Sequence, residues 1–193
     1  MISAREVAYG IYGAYRLAHL DPGGMTYFDT SVRGFWRSFY AALIAAPAYA
    51  IIVMLGTVDA VEAGQDLRGD GLHLLLLESI GYVIEWFAFP LVMFHPCEGI
   101  GKQREYMGFI VAFNWAAVLQ TALFLPVTAA ASAGMLPGFI GPLVGFGTLA
   151  LILLYQGYIA RTALGIGPLA AAGVVAIGLV LAFVVTDVVQ GLR

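Results

Sequence analysis

Residues 106–160 read YMGFIVAFNWAAVLQTALFLPVTAAASAGMLPGFIGPLVGFGTLALILLYQGYIA, without one Asp, Glu, Lys or Arg. A water-facing surface needs ionic groups, and a helix crosses about 30 Å of hydrocarbon with about 20 apolar residues. The stretch is therefore long enough for two membrane spans, and it decides the fold class. Working outward, similar apolar segments precede and follow it. Of the 193 residues, 61% are apolar and 11% charged, whereas soluble domains carry about 25% charged residues. The expectation is an all-α polytopic membrane bundle, one domain over residues 1–193, with five transmembrane helices.

The spans are placed at residues 36–55, 72–94, 107–129, 139–159 and 169–188. Trp36, Arg33 and Arg37 mark the entry to the first, where aromatic and basic side chains reach the headgroup layer. Pro47 lies inside it. Ala42, Ala46 and Ala50 form a stripe of small residues, which permits close helix approach in hydrocarbon. The loop after it, with Asp59, Glu62, Asp66, Arg68 and Asp70, is mostly acidic. His95-Pro96 is expected to end the second span. Ala130–Pro137 and Arg161–Pro168 read as short connections. Gly141 and Gly145 open the fourth span in a GxxxG spacing, a second candidate packing surface.

Ahead of the spans, residues 4–20 have the pattern of an interfacial helix. Val7, Ile11, Ala14 and Leu17 recur at helical spacing, with Tyr9, Tyr12 and Tyr15 beside them. Packing of this helix on the cytoplasmic end of the bundle fits the same pattern. Asp21-Pro22-Gly23-Gly24 should break it. The charged, aromatic start lacks the apolar core and cleavage site of a secretory signal, so the first span is expected to act as an uncleaved anchor.

Basic residues set orientation. With a cytoplasmic N-terminus, Arg5, Arg16, Arg33, Arg37, Lys102, Arg104 and Arg161 lie inside, leaving Arg68 and Arg193 outside. That asymmetry predicts N-inside and C-outside, which agrees with an odd number of spans. Short loops and Ala/Gly-rich spans point to a bacterial cytoplasmic membrane.

Polar residues within the spans are the candidates for chemistry. Glu78 and Glu85 are seven residues apart, on nearly one helical face and about 10.5 Å apart along the axis, with Tyr82 between them. An acidic group in hydrocarbon is costly unless it is paired, hydrated or protonated. Such residues relay protons, hold a cation or recognise a basic partner; equally, they hydrogen-bond inside a bundle. Asn114, Gln120 and Tyr155 are potential partners on neighbouring spans, with Thr121, Thr148 and Gln156 nearby.

Other chemistries lack their signatures. Cys97, the single cysteine, forms no internal disulfide and no thiol cluster. His19, His73 and His95 have no metal-ligand spacing. No phosphate-binding, dinucleotide or hydrolase motif is present, and no basic run suggests nucleic acid. No metal or cofactor is expected. The implied partners are the lipid bilayer and a membrane protein, either another chain or a second copy.

Two segments carry a family resemblance: FWRSFYAALIAAPAYAIIVML at 35–55, and LLYQGYIARTALGIGPLAAAGVVAIGLVLAF at 153–183. Together with the compact helical layout between them, they resemble the bacterial branch of the Yip1-domain family. The likeness spans roughly residues 30–190. It implies five tightly spaced helices, a cytoplasmic N-terminus and a non-enzymatic membrane-adaptor or membrane-organising role, with no catalytic residues to transfer. The DLYGPFW-like segment of the eukaryotic relatives is absent; Asp66-Leu67-Arg68-Gly69 matches it only superficially. Small-GTPase binding and vesicle trafficking are therefore not implied. The alternative, read from Glu78 and Glu85, is a small proton- or ion-coupled transporter.

Overall fold

A computed structural model describes residues 2–62, 71–136 and 138–192. Asp66, Arg68, Asp70, Pro137 and Arg193 of the sequence reading lie outside the described residues. The described chain is helical, in the order α1 (Ala4–Ala18), a 3-10 turn (Pro22–Tyr27), α2 (Val32–Ser38), α3 (Tyr40–Glu62), α4 (Gly71–Gly99), α5 (Gln103–Ser132), α6 (Ile140–Leu164) and α7 (Pro168–Gly191). Five segments are long and apolar enough to cross a membrane: Val32–Asp59, Leu76–Gly99, Gln103–Ser132, Ile140–Leu164 and Pro168–Gly191. The chain is a multi-pass membrane protein with an all-α fold.

The helices outrun the apolar windows at their ends. The first membrane segment begins at Val32, where the Ser31 hydroxyl caps the Gly34 N–H, and α2 passes to α3 at Phe39. α4 does not end at His95-Pro96 but continues to Gly99. Pro96 has no N–H for the Val92 carbonyl four residues back, yet the chain stays helical across that gap to Gly99. The stop comes at Gly101, φ 71°. There the Lys102 N–H reaches the Cys97 carbonyl at 2.7 Å and the Gly101 N–H reaches that of Glu98 at 3.0 Å. These are the paired bonds of a glycine-terminated helix. Gly134, φ 68°, and Gly165, φ 61°, end α5 and α6 in the same left-handed conformation. α6 thus continues past Arg161 to Leu164, and α5 takes in Ala130–Ser132.

α5 is the axis of the bundle and packs on α1, α2, α3, α4 and α6. Its inner half is enclosed all round: Gly108 through Ala112 and Asn114 through Ala116 are all buried. α7 packs instead on α4 and α6. In hydrocarbon, such contacts hold through close van der Waals fit rather than water exclusion.

The segment before the first span forms an arm that wraps α5. Ser3 and Glu6 make a reciprocal capping box at the start of α1. The helix ends at Leu20, a non-glycine residue at φ 59°. The Asp21 N–H bonds to the Arg16 carbonyl at 3.0 Å, and the Leu20 N–H to that of Leu17 at 2.9 Å. The side chains of Arg16 and Asp21, which meet across this turn, form an ion pair.

α1 docks on α5 and α6. It buries Gly10, Gly13, Ala14 and Leu17 and leaves Tyr9, Tyr12 and Tyr15 exposed. Of its expected apolar face, Ala14 and Leu17 are fully buried, while Val7 and Ile11 are partly buried against the core. Gly13 and Gly24 face each other so closely that a Cβ on Gly13 would stand 2.9 Å from the Gly24 carbonyl oxygen. Glu6 also pairs with Arg37 of α2, tying the start of the arm to the first span.

Turn geometry separates the two ends of the bundle. Lys102 and Gly165 are neighbours, since a Cβ on Gly165 would lie 3.6 Å from the Lys102 ammonium. The α4–α5 and α6–α7 turns therefore share one end. At the other, the Ser132 hydroxyl donates to Asp59 at 2.7 Å, joining the ends of α3 and α5.

Candidate functional site

Two of the spaces among the helices divide the intramembrane polar candidates between them. The larger is a groove of about 740 Å³ between α3 and α4. Ala42, Ala46 and Ala50 line it from α3, and Glu78, Tyr82 and Trp86 from α4. The two helices meet across it through long side chains. The Tyr49 hydroxyl donates to Glu78 at 3.2 Å, and the Tyr82 hydroxyl to the Ala42 carbonyl at 2.7 Å. The rings of Tyr49 and Tyr82 lie 4.5 Å apart. The α3 surface most buried in the bundle is a different pair of alanines, Ala41 and Ala45, at 0% and 3% exposure.

The second space is a half-open cavity of about 330 Å³ lined by α4, α5, α6 and α7, with Tyr49 reaching in from α3. Glu85 lines it, with Asn114, Thr121 and Gln156 among its polar neighbours. Aromatic rings make much of its wall: Tyr82, Trp86, Phe89 and Phe113. Phe89 and Phe113 stack with centroids 4.1 Å apart. Glu78 and Glu85 thus serve different spaces, because the tyrosines and Trp86 border both.

Comparison with protein-family models, curated proteins and solved structures finds no match.

Three of the residues singled out in the sequence, Tyr82, Glu85 and Asn114, meet at the cavity. Asn114 is buried and donates at 2.8 Å to the hydroxyl of Ser38, which itself donates to the Phe35 carbonyl at 2.7 Å. This chain of bonds fixes α2 on α5. Gln120 accepts from Gln156 at 3.1 Å, while its own buried amide nitrogen has no partner among the described residues. Tyr155 is elsewhere: its hydroxyl donates at 2.7 Å to the Ala14 carbonyl and anchors α1.

The glycines of the GxxxG spacing face outward. A Cβ on Gly145 would meet nothing within 4 Å, and one on Gly141 would meet only Leu136 of the preceding turn. Sequence reading passed over Tyr49, Trp86, Phe89 and Phe113 as site residues. For Trp86 and Phe89 the signal was an aromatic every three or four residues on α4, counting from Tyr82, whereas Tyr49 on α3 carried no such spacing. Among the described residues, no group of three His, Cys, Asp or Glu side chains is placed to hold a metal.

Proposed function

We propose that this membrane protein is a non-enzymatic adaptor or assembly factor. It acts by seating a transmembrane helix of another membrane protein in the α3–α4 groove. The observation that carries the reading is the groove itself. Its α3 wall runs from Phe39 to Val58, about 29 Å of helix, close to the thickness of the hydrocarbon. The alanines along that wall allow close backbone approach. Glu78 is the one carboxylate among the described residues of a mostly apolar lining that also holds Tyr49, Thr57, Ser79 and Tyr82, so the complementary occupant is an apolar helix carrying a basic or amide side chain at that level. The resemblance to bacterial Yip1-domain proteins supports the same role, in a bacterial cytoplasmic membrane with the N-terminus inside and the C-terminus outside.

A photo-crosslinking residue at Ala46 or Ala50, with Leu154 as an outward-facing control, tests the reading in native membranes. The expected result is one discrete protein adduct from the groove positions, identified by mass spectrometry, whose co-purification in mild detergent is lost in Glu78→Leu. Adducts with lipid alone would overturn it. Orientation is tested by single cysteines at Lys102 and Ser132 with a membrane-impermeant maleimide. The native Cys97, 1% exposed, stays silent. Labelling of Lys102→Cys from outside intact cells would reverse the assignment.

A second reading, a small proton- or ion-coupled transporter, is favoured by one observation: Glu85 lines an interhelical cavity together with Asn114, Thr121, Gln156 and the phenols Tyr49 and Tyr82. Flux in proteoliposomes that disappears in Glu85→Gln supports it. Absence of flux alongside a groove-dependent partner supports the adaptor.

A further inference from the structure

The cavity at Glu85 has a composition that selects a ligand. Among the described residues that line it, only Tyr49, Tyr82 and Glu85 titrate, and none is Lys, Arg, His or Asp. No hydrogen bond to the Glu85 carboxyl is present among the described residues, whereas Asn114, Thr121 and Gln156 are all bonded to protein atoms. Tyr82, Trp86, Phe89 and Phe113 line the same space as this acidic group. Aromatic rings attract cations through their quadrupole, most strongly where water is excluded. A carboxylate in hydrocarbon is costly unless it is paired, hydrated or protonated, and a bound cation would supply the pairing.

We infer that the cavity binds a lipophilic organic cation of the alkyl- or aryl-ammonium class, with Glu85 as counter-charge and the aromatic residues as its cage. A hard metal ion would need a shell of several oxygen ligands, and Glu85 is the one carboxylate among the described lining residues, with Asn114, Thr121 and Gln156 already bonded to protein. The volume of about 330 Å³ falls at the small end of ligand pockets. It suits a compact ion rather than an extended drug. The partner-docking groove is a separate space, so this inference stands apart from the adaptor reading. It deepens the transport reading by naming the ligand. Binding without flux would keep the site and remove transport.

The test uses the full-length protein in detergent with benzyltrimethylammonium as the probe and neopentylbenzene, its uncharged carbon isostere, as the control. Calorimetry at pH 8 is expected to show saturable binding of the cation and weaker binding of the isostere. Glu85→Gln should weaken cation binding on the order of tenfold or more, as expected when one member of a desolvated charge pair is lost. Glu85→Asp should keep most of it, and Trp86→Leu should weaken it several-fold. Acid should compete with the cation in wild type and not in Glu85→Gln, a readout that a merely structural role would not move. Thermal unfolding of each variant confirms a folded sample. Three results would each overturn the proposal: equal affinity for the isostere, undiminished binding by folded Glu85→Gln, or displacement by sodium at equal concentration.

Discussion

Gly10 of α1 lies against the indole of Trp115 on α5, with no room between them for a methyl group. The arm reaches the bundle axis because this residue has no side chain. Gly10→Ala is expected to lift α1 from α5 or displace the indole, at a cost of about 1–3 kcal/mol, as for other overpacked sites. Thermal unfolding in detergent reads the loss. Hydrogen exchange should localise it to α1, and uniform exchange across the bundle would contradict a local docking role.

Ser38 and Asn114 form the buried polar link between α2 and α5. Ser38→Ala removes an acceptor and leaves the Asn114 amide unsatisfied, which costs about 1–3 kcal/mol. Adding Asn114→Leu should recover part of that loss, since the orphaned donor goes too. A double-mutant cycle in chemical unfolding gives the coupling, and strictly additive effects would show that the bond contributes nothing beyond its two side chains.

The arm should loosen in acid. Glu6 is held below its ordinary value of 4.5 by the Ser3 backbone N–H first, then by the Ser3 hydroxyl, with the nearby Arg37 guanidinium assisting. Asp21 is lowered by Arg16 and the Gly23 N–H, and Asp29 by Ser31. A depressed carboxyl contributes stability above its unfolded value and loses it as the pH falls through its folded value. Exchange protection of α1 should therefore hold from neutral pH to about 4.5 and decline below. Glu6→Gln should reduce protection at neutral pH and flatten the acid limb. An unchanged profile would rule out Glu6 as its source.

Leu20 sits in the left-handed region at φ 59° and is 66% exposed, so its side chain contributes little packing. Leu20→Gly removes a backbone penalty of about 1–2 kcal/mol and adds unfolded-state freedom of about 0.4–1 kcal/mol. The net expectation is a small gain, below about 1 kcal/mol. Thermal unfolding measures it, and a clear loss would mean that Leu20 makes contacts of its own in the membrane.

The five spans were legible because hydrocarbon imposes a length and an apolar composition on any helix that crosses it. Their ends were less so. Helical bonding continues into the headgroup region until a residue such as Gly101 turns left-handed, and hydropathy does not register that stop. At the site, Tyr82, Glu85 and Asn114 were individually conspicuous as polar residues in apolar segments. Which space each one faces depends on how α3 and α4 splay, and this divides Glu78 from Glu85 despite their shared helical face. Tyr155 was equally conspicuous, yet its partner is a backbone carbonyl of α1, and no residue type announces a carbonyl. The wrap of the arm rests on Gly10, Gly13 and Gly24, whose role is an absence of atoms and leaves no periodic trace.

The position of α7 at the rim of the bundle also bears on how the chain is made. Gly178, Leu179, Leu181 and Ala182 of α7 close the cavity that Glu85 faces, and α7 leaves the ribosome after the other helices that line it. Until it arrives, the carboxyl of α4 has α3, α5 and α6 beside it but an open flank towards the lipid. The nascent protein therefore passes through a stage with an unshielded acidic group inside the bilayer. That stage is where an insertion chaperone has most to hold, and where a chain truncated before Pro168 becomes a substrate for membrane proteolysis.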